Sequence, residues 1–342
     1  MARLTDLPNE LLDMLVKHLE AKIDLCSVCL VSKRFQDVAE RELYRNIQLH
    51  FMDARSLLRT LTTNKRLGTH IRMMMDTSSG RARYSSRTKV DEGLLKKLCE
   101  AAADSAVFGA DKQLLQVYQE GLRALPYIQN WTEPIQHSIE ATLLLSLAPN
   151  LESYSVGCRG YQFCTPLREA IHSRAKGGQV FLPRLTRFSV ERMSLEGISQ
   201  VPWLTLPTLR EVYIKEIRCV YGNPYRTYPF PLTPNSSVQK IVFVKVIVRN
   251  IHQLLSYYRA LHTVYIDWDC GGGRPGRTFF RQGYEVIPIL EDLLMLSNLE
   301  LTINDLKDGG RVGRLPRVAE SLGSFARCTH LKRLHISSAL LL

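Results

Sequence analysis

The sequence predicts an α/β protein in which a small N-terminal unit of three helices precedes a platform of strands and helices. In residues 4–47, apolar residues recur at helical spacing and outnumber what so short a unit can bury within itself. From about residue 147 a short alternating apolar pattern recurs seven times, and alternation with period two marks a strand with one buried face. Charge separates the two regions. Residues 1–50 carry seven basic and eight acidic side chains, whereas residues 51–342 hold a surplus of +13 within a net charge of +12.

The N-terminal helices have consistent start signals. Pro8 suits a first helical position, because its missing N–H would have no intrahelical acceptor there. Glu10 places a carboxylate in the first turn, where the helix dipole favours it. Asp24 and Ser32 are placed as N-caps of a second and a third helix. At roughly 100° per residue, Leu11, Leu12, Met14, Leu15, Val16 and Leu19 span about 200° of the first helix. A surface helix needs a stripe of only about 100°. One side of that arc can pack on Leu25, Val28 and Phe35; the other side needs something else.

The run Leu7-Pro8-Asn9-Glu10-Leu11-Leu12, then Asp24-Leu25, Val31-Ser32-Lys33-Arg34-Phe35 and Leu43-Tyr44-Arg45, closing at Ile47, resembles an F-box. That motif runs L-P-x-E-L-L, an apolar helix, D-L, V-S/C-K-x-F/W and L-Y-x-x-I. The resemblance implies a domain at residues 1–48 that docks on the Skp adaptor of cullin–RING ubiquitin ligases. Leu7, Pro8, Glu10, Leu11, Leu25 and Val31 match motif positions and are the candidate adaptor contacts.

Residues 49–132 read as a helical linker region. Ala54–Leu67, Glu92–Ala103 and Lys112–Leu125 show helical spacing of Leu, Ile and Val. Between them the Ser- and Arg-rich stretch near 77–90 reads as a flexible basic loop.

The third region, residues 133–342, carries the recurring pattern. It appears as Leu151-x-x-Tyr154-x-Val156, Leu185-x-x-Phe188-x-Val190, Leu209-x-x-Val212-x-Ile214, Val238-x-x-Ile241-x-Phe243, Leu261-x-x-Val264-x-Ile266 and Leu331-x-x-Leu334-x-Ile336. A looser copy, Leu299-x-Leu301-x-Ile303, has lost one residue of spacing. Helix-like stretches fall between copies at Pro166–Ala175, Ile251–Ala260, Tyr284–Leu296 and Pro316–Arg327. Strand, turn and helix recurring every 23–38 residues resembles an irregular leucine-rich-repeat-like solenoid. The usual Asn after the strand is absent from most copies. A generic α/β sheet of fewer, unequal units is the other architecture that this spacing allows.

If the solenoid reading holds, the positions between the buried strand residues form one face. Arg187, Tyr213, Lys215, Lys240, Tyr265, Arg333 and His335 are its candidate target-binding residues, a mixture of aromatic and basic groups suited to a protein partner. The positive balance of residues 51–342 favours an acidic or phosphorylated target. Nucleic acid is the weaker partner, because no helix-turn-helix, zinc-finger or RNA-recognition motif focuses the charge.

Catalysis finds no support. The sequence has neither H-E-x-x-H nor G-x-S-x-G, and its nine histidines are scattered. The glycine-rich stretches 270–278 and 308–314 lack the G-K-[ST] ending of a phosphate-binding loop. Cys26 and Cys29 form a C-x-x-C with no second pair at zinc spacing. No cofactor or metal is expected. No apolar run approaches membrane-spanning length, and the first residues lack a secretory signal's apolar core. The expectation is an intracellular protein, cytoplasmic or nuclear, acting as the non-catalytic substrate receptor of a Skp–cullin–F-box ligase. A leucine-rich-repeat scaffold outside any ligase and a basic nucleic-acid binder are the two rival readings.

Overall fold

A computed structural model of the chain describes residues 7–19, 21–49, 53–76, 92–104, 141–157, 182–191, 206–216, 237–246, 260–268, 296–303 and 328–336, with single positions between 112 and 123 and at 204, 255 and 258. The chain divides into two compact units, Met1–Tyr154 with Phe181–Leu185, and Ser155–Val180 with Thr186–Leu342.

The first unit opens with α1 (Asn9–Lys17), α2 (Lys22–Cys29) and α3 (Lys33–Arg45). Two of the expected helix starts move. Pro8 stands one position before the helix, as its N-cap with φ −54° and ψ 153°, and its carbonyl accepts from the Leu12 N–H at 3.1 Å. Ala21 precedes α2, so Asp24 lies inside the first turn instead of capping it. There its carboxylate still meets the positive end of the dipole. Ser32 caps α3 as expected, its Oγ accepting from the Phe35 N–H at 3.3 Å. Leu12, Val16, Leu25, Phe35, Val38 and Ala39 form the buried cluster, with Leu7, Leu19, Val28, Cys29 and Leu43 packed around it.

Helix α3 passes directly into β1 (Asn46–Leu49), which pairs in parallel with β2 (Met73–Asp76), Ile47 facing Met74. Ile47, expected to close the helical unit, is therefore a strand residue. The crossover between the strands holds α4 (Asp53–Thr63) and α5 (Lys65–Gly68). The single helix expected over 54–67 breaks at Asn64, whose φ of −133° and ψ of 87° are not helical; a short Asn side chain competes for nearby backbone groups and favours such a break. The last residue of α5, Gly68, passes so close to the backbone at Leu147 that a Cβ would lie 2.0 Å from the Leu147 carbonyl oxygen. Helix α6 (Glu92–Asp104) follows, close to its expected span, and Lys65 of α5 reaches Asp104 at 2.6 Å. Positions 112, 115, 116, 119, 120 and 123 are helical, in line with the helix expected over 112–125. Residues 141–146 are helical and lead into β3 (Ser153–Gly157).

The second unit contains a parallel ladder of β4 (Arg187–Glu191), β5 (Glu211–Lys215), β6 (Lys240–Val246), β7 (Thr263–Trp268), β8 (Asn298–Ile303) and β9 (Arg333–Ile336), paired in chain order. Each described strand from β3 onward except β8 starts two residues into one of the expected alternating motifs. The register corrects one detail. Thr263 aligns with Asn298 and Val264 with Leu299, so the eighth strand's motif is Leu296-x-x-Leu299-x-Leu301 and no residue of spacing is lost.

Strands β5–β9 each start with the same hydrogen-bond device. The Thr186 carbonyl accepts from both the Arg210 and Glu211 N–H groups at 2.8 and 2.9 Å. The Arg210 carbonyl takes Gln239 and Lys240, Gln239 takes His262 and Thr263, His262 takes Ser297 and Asn298, and Ser297 takes Lys332 and Arg333, all at 2.8–3.0 Å. In the first unit the Arg72 carbonyl does the same for Glu152 and Ser153. Below these starts the motif side chains Phe188, Val212, Ile241, Val264 and Leu299 are buried. Leu334 departs from them at 45% exposed, because β9 is the outermost strand described.

Glu216 and Lys245 occupy equivalent places just past the paired residues Lys215 and Val244, and both have φ of 53°. Such a backbone is uncommon outside glycine; at Lys245 it accompanies a register shift between Val244 and Val246. The four helix-like stretches between the repeats, the basic loop near 77–90 and the two glycine-rich stretches lie outside the described residues, apart from positions 255, 258, 260 and 296.

Candidate functional site

Helix α1 divides its apolar residues between two sides. Leu12 and Val16 point into the three-helix core, whereas Leu11, Met14 and Leu15 are about half exposed. The split follows from 3.6-residue periodicity, since Leu11, Met14 and Leu15 fall together at i, i+3 and i+4. Helix α2 repeats the pattern. Leu25 is buried beside Val28, while Ile23 is 73% exposed and Leu30, just past the helix, 87%. Val31 follows at 61%.

Among the described residues, six of the nine exposed large apolar side chains thus lie between Leu11 and Val31. Water-facing apolar groups gathered on so short a segment mark an interaction surface more than a random scatter. The candidate contact residues are distributed unevenly over it. Pro8, Glu10, Leu11 and Val31 are exposed and Leu7 is half-buried against the core. Leu25 is a core residue, and its part is to hold α2 against α1 and α3.

A residue that the motif reading passed over shapes this surface. Arg34, at the start of α3, donates from Nε to Asn9 Oδ1 at 2.8 Å and from Nη2 to the Leu7 carbonyl. It fastens the first turn of α1 to the third helix, and only its place beside Phe35 in the V-S-K-R-F run could have signalled it. The C-x-x-C lies on the same helices, with Cys26 exposed and Cys29 half-buried, both as free thiols. Burial, with the nearby Glu40 and Cys26, pushes the Cys29 thiol above its ordinary range. The thiol form is therefore favoured over a reactive thiolate.

The face of the β4–β9 ladder brings the other candidates into three rows. The first row runs Arg187, Glu211, Lys240, Thr263, Asn298, Arg333; the second runs Ser189, Tyr213, Val242, Tyr265, Glu300, His335. Lys215 belongs to the third, between Glu191 and Val244. Much of the charge here is internally matched. Tyr213 donates to Glu211 at 2.7 Å, Lys240 Nζ lies 5.5 Å from the Tyr213 ring centroid, Lys215 meets Glu191 at 3.8 Å and His335 meets Glu300 at 3.4 Å. What the rows leave at their centre is an apolar and aromatic strip, Tyr213–Val242–Tyr265. Periodicity located these positions but gave no neighbour relations across strands.

A family model described as F-box-like matches residues 4–50, the stretch that forms the three helices and β1. The chain therefore carries an F-box-like domain at its N-terminal side, and the exposed apolar groups of α1 and α2 belong to it. No curated protein matches the chain. Among the described residues no helix is long and apolar enough to cross a membrane, and no group of three or more His, Cys, Asp or Glu is placed to hold a metal ion.

Proposed function

We propose that this protein is a non-catalytic substrate receptor of a Skp–cullin–F-box ubiquitin ligase, working in the cytoplasm or nucleus. The observation that carries the reading is the exposed apolar set Leu11, Met14, Leu15, Ile23, Leu30 and Val31 on an F-box-like domain. The Skp adaptor is its partner, with Leu7, Pro8 and Glu10 at the edge of the contact. The alternating motifs, the parallel ladder and the repeated double donation at strand starts support a leucine-rich-repeat-like solenoid as the second half. On its face, Arg187, Tyr213, Lys215, Lys240, Tyr265, Arg333 and His335 are the proposed target contacts. The target is an acidic or phosphorylated protein that lays apolar groups on the tyrosine strip. The receptor acts by proximity, raising the target's effective concentration near a charged ubiquitin-conjugating enzyme.

Co-purification with the Skp adaptor tests this directly. Leu15→Asp places a charge on the exposed side of α1 and leaves the core untouched, so the variant should fold normally yet lose the adaptor. An unchanged adaptor complex in that variant would overturn the docking assignment and favour a scaffold that acts outside ubiquitin ligases. Binding to nucleic acid that falls steeply with salt would favour the nucleic-acid reading instead.

A further inference from the structure

The first unit contains a cleft of about 340 Å³ on the side of α1 away from the exposed leucines. It is lined by five basic side chains drawn from separate parts of the chain: Lys17 of α1, Arg41 and Arg45 of α3, Arg72 ahead of β2, and Arg184. Asp13, Glu42 and Glu152 oppose them. Two of these carboxylates are occupied, Glu42 by Arg45 at 3.3 Å and Glu152 by Arg72 at 3.5 Å. Among the described residues, Lys17, Arg41 and Arg184 make no ion pair, so the cleft keeps an excess of positive charge.

A second observation comes from His70, which lines the same cleft. Its Nε2 is buried and has no hydrogen-bond partner among the described residues. Burial, and then the guanidinium groups of Arg66 and Arg41, hold the imidazole below its usual range, against the opposing pull of Glu40. The histidine thus senses a positive local potential.

We propose that this cleft is a binding site for a phosphate-bearing anion of small-molecule size. Arginine forks match phosphate oxygens in paired hydrogen bonds, and the volume lies at the lower end of small-ligand sites. Arg41, Arg184 and Lys17 supply the charge, and the buried His70 nitrogen offers one further hydrogen bond. Asp13 and Lys17 lie about 200° around α1 from Leu11 and Leu15 respectively, so an anion here and an adaptor on the apolar side do not compete. The site is independent of the ligase reading.

Pyrophosphate is the probe, titrated calorimetrically into the full-length protein at constant ionic strength. One saturable site is expected, weakened at least tenfold in Arg41→Ala/Arg184→Ala and unchanged in Lys332→Ala, which removes an exposed cation of the other unit. Broadening of the pyrophosphate phosphorus resonance by the wild-type protein checks binding without relying on a variant. Displacement of pyrophosphate by a phosphoserine peptide, with the same dependence on Arg41 and Arg184, would assign the phosphate to a protein source. Displacement by free polyphosphates alone would assign it to a metabolite. The absence of a saturable site, or equal weakening in Lys332→Ala, overturns the proposal in favour of diffuse attraction to a basic surface.

Discussion

Arg34 and Asn9 are hydrogen-bonded at 2.8 Å although 25 positions separate them in the chain. With the second bond to the Leu7 carbonyl, this guanidinium closes the three-helix unit where the chain first joins it. Arg34→Ala should speed amide exchange in residues 7–12 and lower stability by about 1 kcal/mol, the size of a partly exposed hydrogen-bonded contact. Lysine should restore little, because it lacks the planar fork. Hydrogen-exchange mass spectrometry checks this, and unchanged exchange at the start of α1 would remove Arg34 from that role.

Leu11 and Leu12 are chain neighbours with opposite duties. Leu12 is fully buried, so Leu12→Ala should cost about 2–5 kcal/mol through lost burial and a residual cavity. Leu11→Ala, on the exposed side, should stay within about 0.5 kcal/mol of wild type. Denaturant midpoints of the two variants measure the contrast, and equal losses would show that Leu11 is a core residue.

The three helices and the strands β3–β9 were legible in the sequence because each has a strong period, 3.6 in Leu11–Leu19 and 2 in stretches such as Phe188–Val190. The motif anchors were legible too, although chemistry at the boundaries was not. Asp24 looked like a cap, since the sequence cannot say whether a helix begins before or after an acidic residue. Strands β1 and β2 escaped notice because four residues, three of them methionine in Met73–Asp76, give too short a period. Leu296 was assigned to a helix because Leu299 and Leu301 offered a tempting alternative frame that only the pairing to β7 resolves. Arg34 and the cleft arginines stayed hidden for another reason: long-range polar partners leave no periodic trace.

Gly68→Ala should destabilise the first unit by about 1–3 kcal/mol or more, as other over-packed sites do. The added methyl would meet a backbone carbonyl, which cannot swing aside as a side-chain tip can. Thermal unfolding of the variant, compared with Gly93→Ala at an exposed position of α6, reads the effect. Equal melting of Gly68→Ala and wild type would mean that the helix at 141–146 can slide.

His70 makes stability depend on pH. Its folded-state pKa is lowered, chiefly by burial and then by Arg66, Arg41 and Arg72 against Glu40. The unfolded chain therefore binds the proton more readily in the window from the ordinary value of 6.5 downward. This contribution is present above about pH 6.5 and lost as pH falls through that value toward the depressed one. His70→Gln should flatten that part of a stability–pH curve, and bound pyrophosphate should flatten it too, because an anion beside the imidazole raises its folded-state pKa toward the ordinary value. A slope unaltered in the variant would assign the dependence to other groups.

The double donation at the starts of β5–β9 has a consequence for how such a chain can vary. One carbonyl gripping two successive N–H groups sets the alignment of each β4–β9 pair before the ladder begins, independently of the loop that delivers the next strand. Strand starts here recur at intervals from 23 to 35 residues, yet Arg187, Glu211, Lys240, Thr263, Asn298 and Arg333 stay in one line. Connections can lengthen, shorten or be exchanged piece by piece while the lettering on the sheet face stays in its columns.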